Sequence, residues 1–262
     1  MLIETHAHLD FPKFVDDLDE VVQRAKDAGV EKIINITSCR RDFARVREIV
    51  EKYDNIWQSI GIHPHDTEQL KDTAWVDEVK KYAQSDLVVA IGEIGLDYFQ
   101  MPTYAKASAG RRNTRAEQKK LFVRQLEIAE EIDLPVILHI RDSHDDVYNI
   151  VKDRNLRAVV HCFSGNLGRA RQFLELGYLI SFTGIITFPK TEELARVVRD
   201  IPLTRVMIET DSPFLAPQRV RGQRCEPAYV KDVAEKIAEI KNLTFAEVAT
   251  QTTKNAEDFF RI

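Results

Sequence analysis

Leu87-Val88-Val89-Ala90-Ile91 is an unbroken apolar run, followed at once by Gly92-Glu93-Ile94-Gly95-Leu96-Asp97. An antiparallel strand with one wet face alternates apolar and polar residues. A strand covered on both faces is apolar throughout, as in a parallel sheet flanked by helices. The same unit recurs outward in both directions. Upstream, Leu2–His6 reads as a strand and Asp17–Ala28 as a helix ending at Gly29, a residue suited to the position just past a helix. Lys32–Thr37 is a strand, and Asp42–Lys52 a helix with Phe43, Val46 and Val50 at spacings of three and four. Ile56–Ile62 is a strand and Ala74–Ala83 a helix. Downstream, Ala116–Ile132 is a long amphipathic helix and Pro135-Val136-Ile137-Leu138 opens the fifth strand. Helix Asp145–Asp153, strand Ala158–His161, helix Leu167–Leu176, strand Tyr178–Ser181, helix Glu192–Arg199 and strand Arg205–Glu209 follow. Ala228–Ile240 and Phe245–Phe260 close the chain as helices, with Thr244 as a cap between them.

Eight strands alternating with helices predict a parallel sheet, and at 262 residues they favour an α/β fold of the closed (β/α)8 TIM-barrel type over an open sheet. A chain of this size buries roughly 70% of its surface, enough for one large core without staples. No linker-like stretch divides it, so a single domain over residues 1–262 is expected; the one irregular stretch is Met101–Arg115, long for a βα loop. With 44% apolar and 30% charged residues, extended disorder is excluded. No apolar run approaches the roughly 18 residues of a membrane span, and Met1–His6 has no signal-peptide character. Cys39, Cys162 and Cys225 are odd in number and far apart, which points to reduced thiols in a cytoplasmic enzyme. A net charge of −5 argues against wholesale coating of nucleic acid but leaves room for a local basic groove.

The chemistry lies in where the seven histidines fall. His6 and His8 close strand one, and His63 and His65 close strand three. His139 ends strand five, His144 lies in the loop after it, and His161 ends strand six. Barrel active sites sit at the C-terminal ends of the strands, so a structural role for each histidine taken singly explains the set poorly. His6 and His8 are two apart and share a strand face, which makes half of a metal site. Glu93 follows strand four and Asp211 follows strand eight. His6, His8, Glu93, His139, His161 and Asp211 then ring one barrel mouth. Six nitrogen and oxygen ligands exceed what one catalytic zinc takes from protein; two cations sharing a carboxylate and a water would use all six. Glu93 is the natural bridge. His6, His8 and Asp211 would hold one cation, and His139 and His161 the other.

With these residues in place, the chain resembles the TatD family of metal-dependent hydrolases. The resemblance is carried by Glu4-Thr5-His6-Ala7-His8-Leu9, Gly61-Ile62-His63-Pro64-His65, Gly92-Glu93-Ile94-Gly95-Leu96-Asp97, His161-Cys162-Phe163-Ser164-Gly165, Glu209-Thr210-Asp211-Ser212-Pro213 and Thr253-Lys254-Asn255-Ala256. It implies a TIM barrel, a divalent metal centre on the same six positions, and hydrolysis of phosphodiesters in DNA. Glu4 in place of the commoner Asp, Ile140 and Cys225 depart from the family pattern without touching a ligand.

Asp211 is the expected general base and the cations Zn²⁺, Mg²⁺ or Mn²⁺. His63 and His65 are expected to contact phosphate or to support the ligands. Lys106, Arg111, Arg112, Arg115, Lys119, Lys120 and Arg124 stand against the single acid Glu117, and Arg219, Arg221 and Arg224 follow strand eight without an acid among them. Two basic segments on opposite rims would flank a groove suited to DNA or an oligonucleotide, with Arg221 and Arg224 as contacts. Ser164 and Gly165 suit an N-cap turn, or a phosphate contact at the following helix. Cys162, next to His161, faces away from the site if the strand continues. Two other readings compete. An amidohydrolase-type enzyme cleaving C–N or lactone bonds would often carry a modified Lys where Glu93 stands. A nucleic-acid-binding protein with a vestigial site would not need six intact ligands.

Overall fold

The computed structural model describes residues 1–99 and 114–262. Residues 101–113 of the Met101–Arg115 stretch, with Lys106, Arg111 and Arg112, lie outside the described residues. The strands are β1 (Leu2–Ala7), β2 (Val30–Ile36), β3 (Ile56–Ile60), β4 (Val88–Asp97), β5 (Val136–Arg141), β6 (Ala158–Val160), β7 (Leu179–Phe182) and β8 (Val206–Ile208). All neighbours pair in parallel, and the order around the sheet is the order along the chain. The ring closes just above β8. Ala7 bridges Ser212, the His8 N–H donates to the Ser212 carbonyl at 2.8 Å, and the Asp211 N–H donates to the His6 carbonyl at 2.9 Å. The barrel is thus sealed beside His6, His8 and Asp211, three of the residues that the strand-end pattern singles out.

Outside the strands run α1 (Leu18–Asp27), α2 (Phe43–Lys52), α3 (Ala74–Tyr82), α4 (Arg115–Ile132), α5 (His144–Val151), α6 (Leu167–Glu175), α7 (Glu192–Asp200), α8 (Val230–Lys241) and α9 (Phe245–Phe260). Alternation along each strand divides the apolar residues in two. Val136, Leu138, Ala158, Val160, Val206 and Ile208 pack with the helices, whereas Ile3, Ile34, Ile137, Val159 and Met207 pack with one another and with Ala256, Phe259 and Phe260 of α9. The end of α9 therefore floors the barrel, and the ring above that apolar layer is left to polar side chains. Thr244 caps α9 as its sequence suggests: its hydroxyl accepts from the Glu247 N–H at 3.2 Å, and Glu247 accepts from the Thr244 N–H at 2.8 Å.

β4 is the element that sequence pattern shortened. It runs on to Asp97, so Glu93 lies inside the strand rather than after it. The cause is packing: at Gly95, with φ +150°, an added Cβ would lie 2.0 Å from the His139 carbonyl oxygen. Glycine here lets β4 approach β5 closely and brings Glu93 beside His139. The Gly92–Glu93 and Ser212–Pro213 peptide bonds are cis. His144 opens α5 rather than lying in a loop. No helix of the described residues is long and apolar enough to cross a membrane, and the three cysteines are free.

Candidate metal centre

Glu93 stands at the middle of the barrel mouth and presents its two carboxylate oxygens to different histidines. Oε1 lies 2.6 Å from His139 Nδ1, 2.8 Å from His161 Nε2 and 3.8 Å from His63 Nε2. Oε2 lies 3.7 Å from His6 Nε2 and 3.9 Å from His8 Nε2. Asp211 Oδ1 completes the second group, 3.7 Å from His6 Nε2 and 3.4 Å from His8 Nε2. All six residues singled out by their strand-end positions meet here. His6, His8, Glu93 and His161 are almost fully buried.

The two halves differ in spacing. On the His139–His161 side Glu93 is within hydrogen-bond reach of both rings. On the other side the gaps are long for hydrogen bonds, and both ring nitrogens of His6 are buried without a partner. Leaving a buried polar atom unpaired costs about 1–3 kcal/mol. Two ligand atoms each about 2.1 Å from a tetrahedral cation lie about 3.4 Å apart, which is the spacing that His6, His8, Glu93 and Asp211 keep. The donor set fits a divalent cation.

Electrostatics point the same way. Burial pushes Glu93 toward protonation, but the imidazoles of His161, His63 and His139 outweigh it and hold the carboxyl well below the usual range. Burial also raises Asp211, and His8, His6 and His161 more than reverse it. Burial holds His6 and His63 below the ordinary imidazole value, leaving each with a free lone pair. For His8, His139 and His161 burial lowers the pKa, yet their carboxylate neighbours prevail and raise it. Packed carboxylates thus favour positive charge here, which a bound cation would supply in place of those protons.

Further carboxylates stand behind these histidines, and sequence reading gave them no role. Glu209 Oε1 accepts from the Cys162 N–H at 2.6 Å and lies 3.2 Å from His161 Nδ1, while Oε2 lies 4.0 Å from His6 Nδ1. Glu4 accepts from the His6 and Thr210 backbone N–H groups at 2.9 and 3.0 Å, and burial keeps its pKa well above the usual range. Asp97 lies 3.2 Å from His139 Nε2 and 3.1 Å from His65 Nε2. Carboxylates behind ligating histidines fix ring orientation and basicity. The available signal was spacing: Glu209 precedes Asp211 by two, and Asp97 follows Glu93 by four, each at a strand end.

The centre opens into a cleft of about 700 Å³ lined on one side by His63, His65, His139 and Arg141 and on the other by Phe11, Ile185, Phe214 and Leu215. Ser164 also lines it. Cys162 does too, because its φ of +45° takes it out of the strand alternation. Burial pushes its thiol up to about 12, which disfavours the thiolate, and the sulfur lies 3.7 Å from the Thr183 hydroxyl. Arg221 is exposed, with its guanidinium 4.5 Å from the Phe188 ring centroid. Arg224 is drawn elsewhere: it donates to both Asp17 oxygens at 2.6 Å and to Glu226 at 2.7 Å, and it does not line the cleft. Arg219 pairs with Asp232.

The family described as TatD related DNase matches residues 3–261. YabD of Bacillus subtilis (strain 168), named an uncharacterized metal-dependent hydrolase, is 42% identical over 267 residues, covering 100% of both chains. A protein of Pectobacterium carotovorum subsp. carotovorum (strain PC1), named 3'-5' ssDNA/RNA exonuclease TatD, is 33% identical over 272 residues and is likewise covered in full. The crystal structure of YjjV, a TatD homologue from Escherichia coli K12, is similar with a TM-score of 0.88 at 34% identity, covering 100% of this chain and 98% of that one. A closed parallel barrel, a buried histidine–carboxylate mouth and matches along the whole chain agree: the chain belongs to the TatD family of metal-dependent hydrolases.

Proposed function

We propose that the protein hydrolyses phosphodiester bonds in DNA or oligonucleotides, using two divalent cations, Mg²⁺, Mn²⁺ or Zn²⁺. The observation that carries this reading is Glu93, whose two oxygens face two separate histidine groups. His6, His8 and Asp211 would share one cation with Glu93, and His139 and His161 the other. When bound, such cations supply a water of lowered pKa and neutralise charge at phosphorus. Asp211 is ionised, and its side chain is 16% exposed at the cleft. It therefore accepts the proton of the attacking water. His63, held neutral by burial, and His65 at the rim face the cleft where a phosphate oxygen would lie. Arg221, exposed but not a lining residue of the cleft, would meet the strand only beyond it, whereas Arg224 is left to its carboxylate partners.

The site has Glu93, not a lysine, between its two histidine groups, which favours this reading over amidohydrolase chemistry. Three free cysteines fit a reducing, cytoplasmic setting. The test is incubation with single-stranded DNA, mononucleotides and small amides, each with Mg²⁺, Mn²⁺ or Zn²⁺, alongside Asp211→Ala. Metal-dependent cleavage of DNA that the substitution abolishes is expected. Cleavage that survives it removes Asp211 as base, and cleavage of amides alone overturns the reading.

A further inference from the structure

Large apolar side chains on a surface are ordinary when scattered singly. Phe214 is not scattered. It is 42% exposed, lines the cleft, and meets Phe11 edge-to-face with ring centroids 5.3 Å apart at 87°. Phe11 in turn lies 5.2 Å from the His8 ring, and Phe214 lies 6.3 Å from it. Two aromatic rings therefore stand beside a ligand of the metal centre, one of them uncovered.

The backbone holds Phe214 in place. Its N–H donates to the Asp211 carbonyl at 2.9 Å, and the Pro213 carbonyl accepts from the Cys225 N–H at 3.2 Å. The ring is thus carried by the same tight turn that carries Asp211. Phe11 is packed against the core on its other side and backs the wall. The Lys13 ammonium lies 5.9 Å from the Phe214 centroid, placing positive charge at the same edge. Across the cleft the lining is imidazole, carboxylate and Arg141. An occupant that suits both walls carries an anionic group toward the ligands and a flat apolar group toward Phe214.

We infer that Phe214, backed by Phe11, is the residue that stacks on the base next to the scissile phosphate. This rests on the phosphodiester reading above and adds a base-contacting residue to it. Stacking of a base on an aromatic side chain needs a free π-face and little sequence information. Inside a duplex both faces of each base are covered by neighbours, so the free face is found at a strand end or in a single strand. Phe214 is then a specificity residue that acts on binding, and it takes no part in proton transfer.

Two readouts separate the wall from the chemistry. The first uses a short single-stranded oligonucleotide with 2-aminopurine at either end, whose fluorescence falls on stacking. It is recorded with EDTA, so that nothing is cleaved, and again with Ca²⁺. Quenching by the wild type, lost in Phe214→Ala and kept in Phe214→Trp, is expected. The second compares cleavage of oligonucleotides with a normal or an abasic terminal residue. The wild type should prefer the normal end by about 5- to 160-fold in kcat/KM, mostly through KM, and Phe214→Ala should shrink that ratio to near one. Unquenched fluorescence with the wild type in both conditions, or equal quenching by Phe214→Ala, overturns the inference. If no oligonucleotide is cleaved with any metal, the nuclease reading fails, and the quenching measurement still decides whether the wall captures a base.

Discussion

Replacing Arg224 by alanine should lower stability and leave the salt dependence of DNA binding alone, whereas Arg221→Ala should do the reverse. Arg224 makes three hydrogen bonds to carboxylate oxygens of Asp17 and Glu226 and one to the Lys13 carbonyl, and its guanidinium lies 4.9 Å from the Phe14 ring centroid. Hydrogen bonds to charged groups contribute roughly 1.5–3 kcal/mol each when shielded, but exposed pairs contribute about 0–1, and Asp17 is one-third exposed. Arg24 still reaches both carboxylates, at 3.0 Å for Asp17 and 2.7 Å for Glu226, so neither is orphaned. The net loss should be about 1–2 kcal/mol, or a fall in Tm of about 2–8 °C for a chain of this length. The pH dependence gives a second signature. Arg224 and Arg24 hold the Asp17 carboxyl at about 2, below its ordinary value near 3.9. A depressed folded pKa contributes stability above pH ~4 that is lost as pH falls toward 2. Urea denaturation across pH 5 to 2 should therefore lose less stability in Arg224→Ala than in the wild type. Arg221→Ala should leave Tm unchanged and reduce the slope of log affinity against log salt by about one. An Arg224→Ala protein with wild-type Tm and a shallower salt slope would refute the reasoning.

Other expectations follow from the same contacts. Glu209→Gln keeps an acceptor for the Cys162 N–H but removes the charge behind His161 and His6, so metal affinity should fall by about 10–100-fold with little change in Tm; competition with a chelator measures it. Gly95→Ala forces a Cβ to 2.0 Å from the His139 carbonyl oxygen. It should cost about 3 kcal/mol or more and weaken metal binding, seen by calorimetry of apo and loaded protein. Cys162→Ser should retain hydrolysis within a few-fold, and thiol alkylation at neutral pH should be slow at this position, as followed by mass spectrometry.

What was legible in the sequence was whatever a local pattern encodes. The apolar run Leu87–Ile91 announced a strand covered on both faces, and histidines at the ends of strands one, three, five and six announced a mouth. The glycines at 92 and 95 broke that pattern, because their reason is the approach of β5, which no local window contains. Glu209 was visible as a letter two positions before Asp211, but its role depends on His161, 48 residues away. Arg224 looked free because its partner Asp17 is 207 residues distant. Phe214 gave no sign of exposure, since an aromatic beside a strand end is read as core until the fold shows what covers it.

The claim on which the rest depends is that Glu93 serves two cations. Elemental analysis of protein loaded with Mn²⁺ or Zn²⁺ and then desalted tests it most directly, with Glu93→Gln as comparison. Two ions per wild-type chain, falling to one or none in Glu93→Gln, are predicted. One ion or none in the wild type, or two retained in Glu93→Gln, would contradict it.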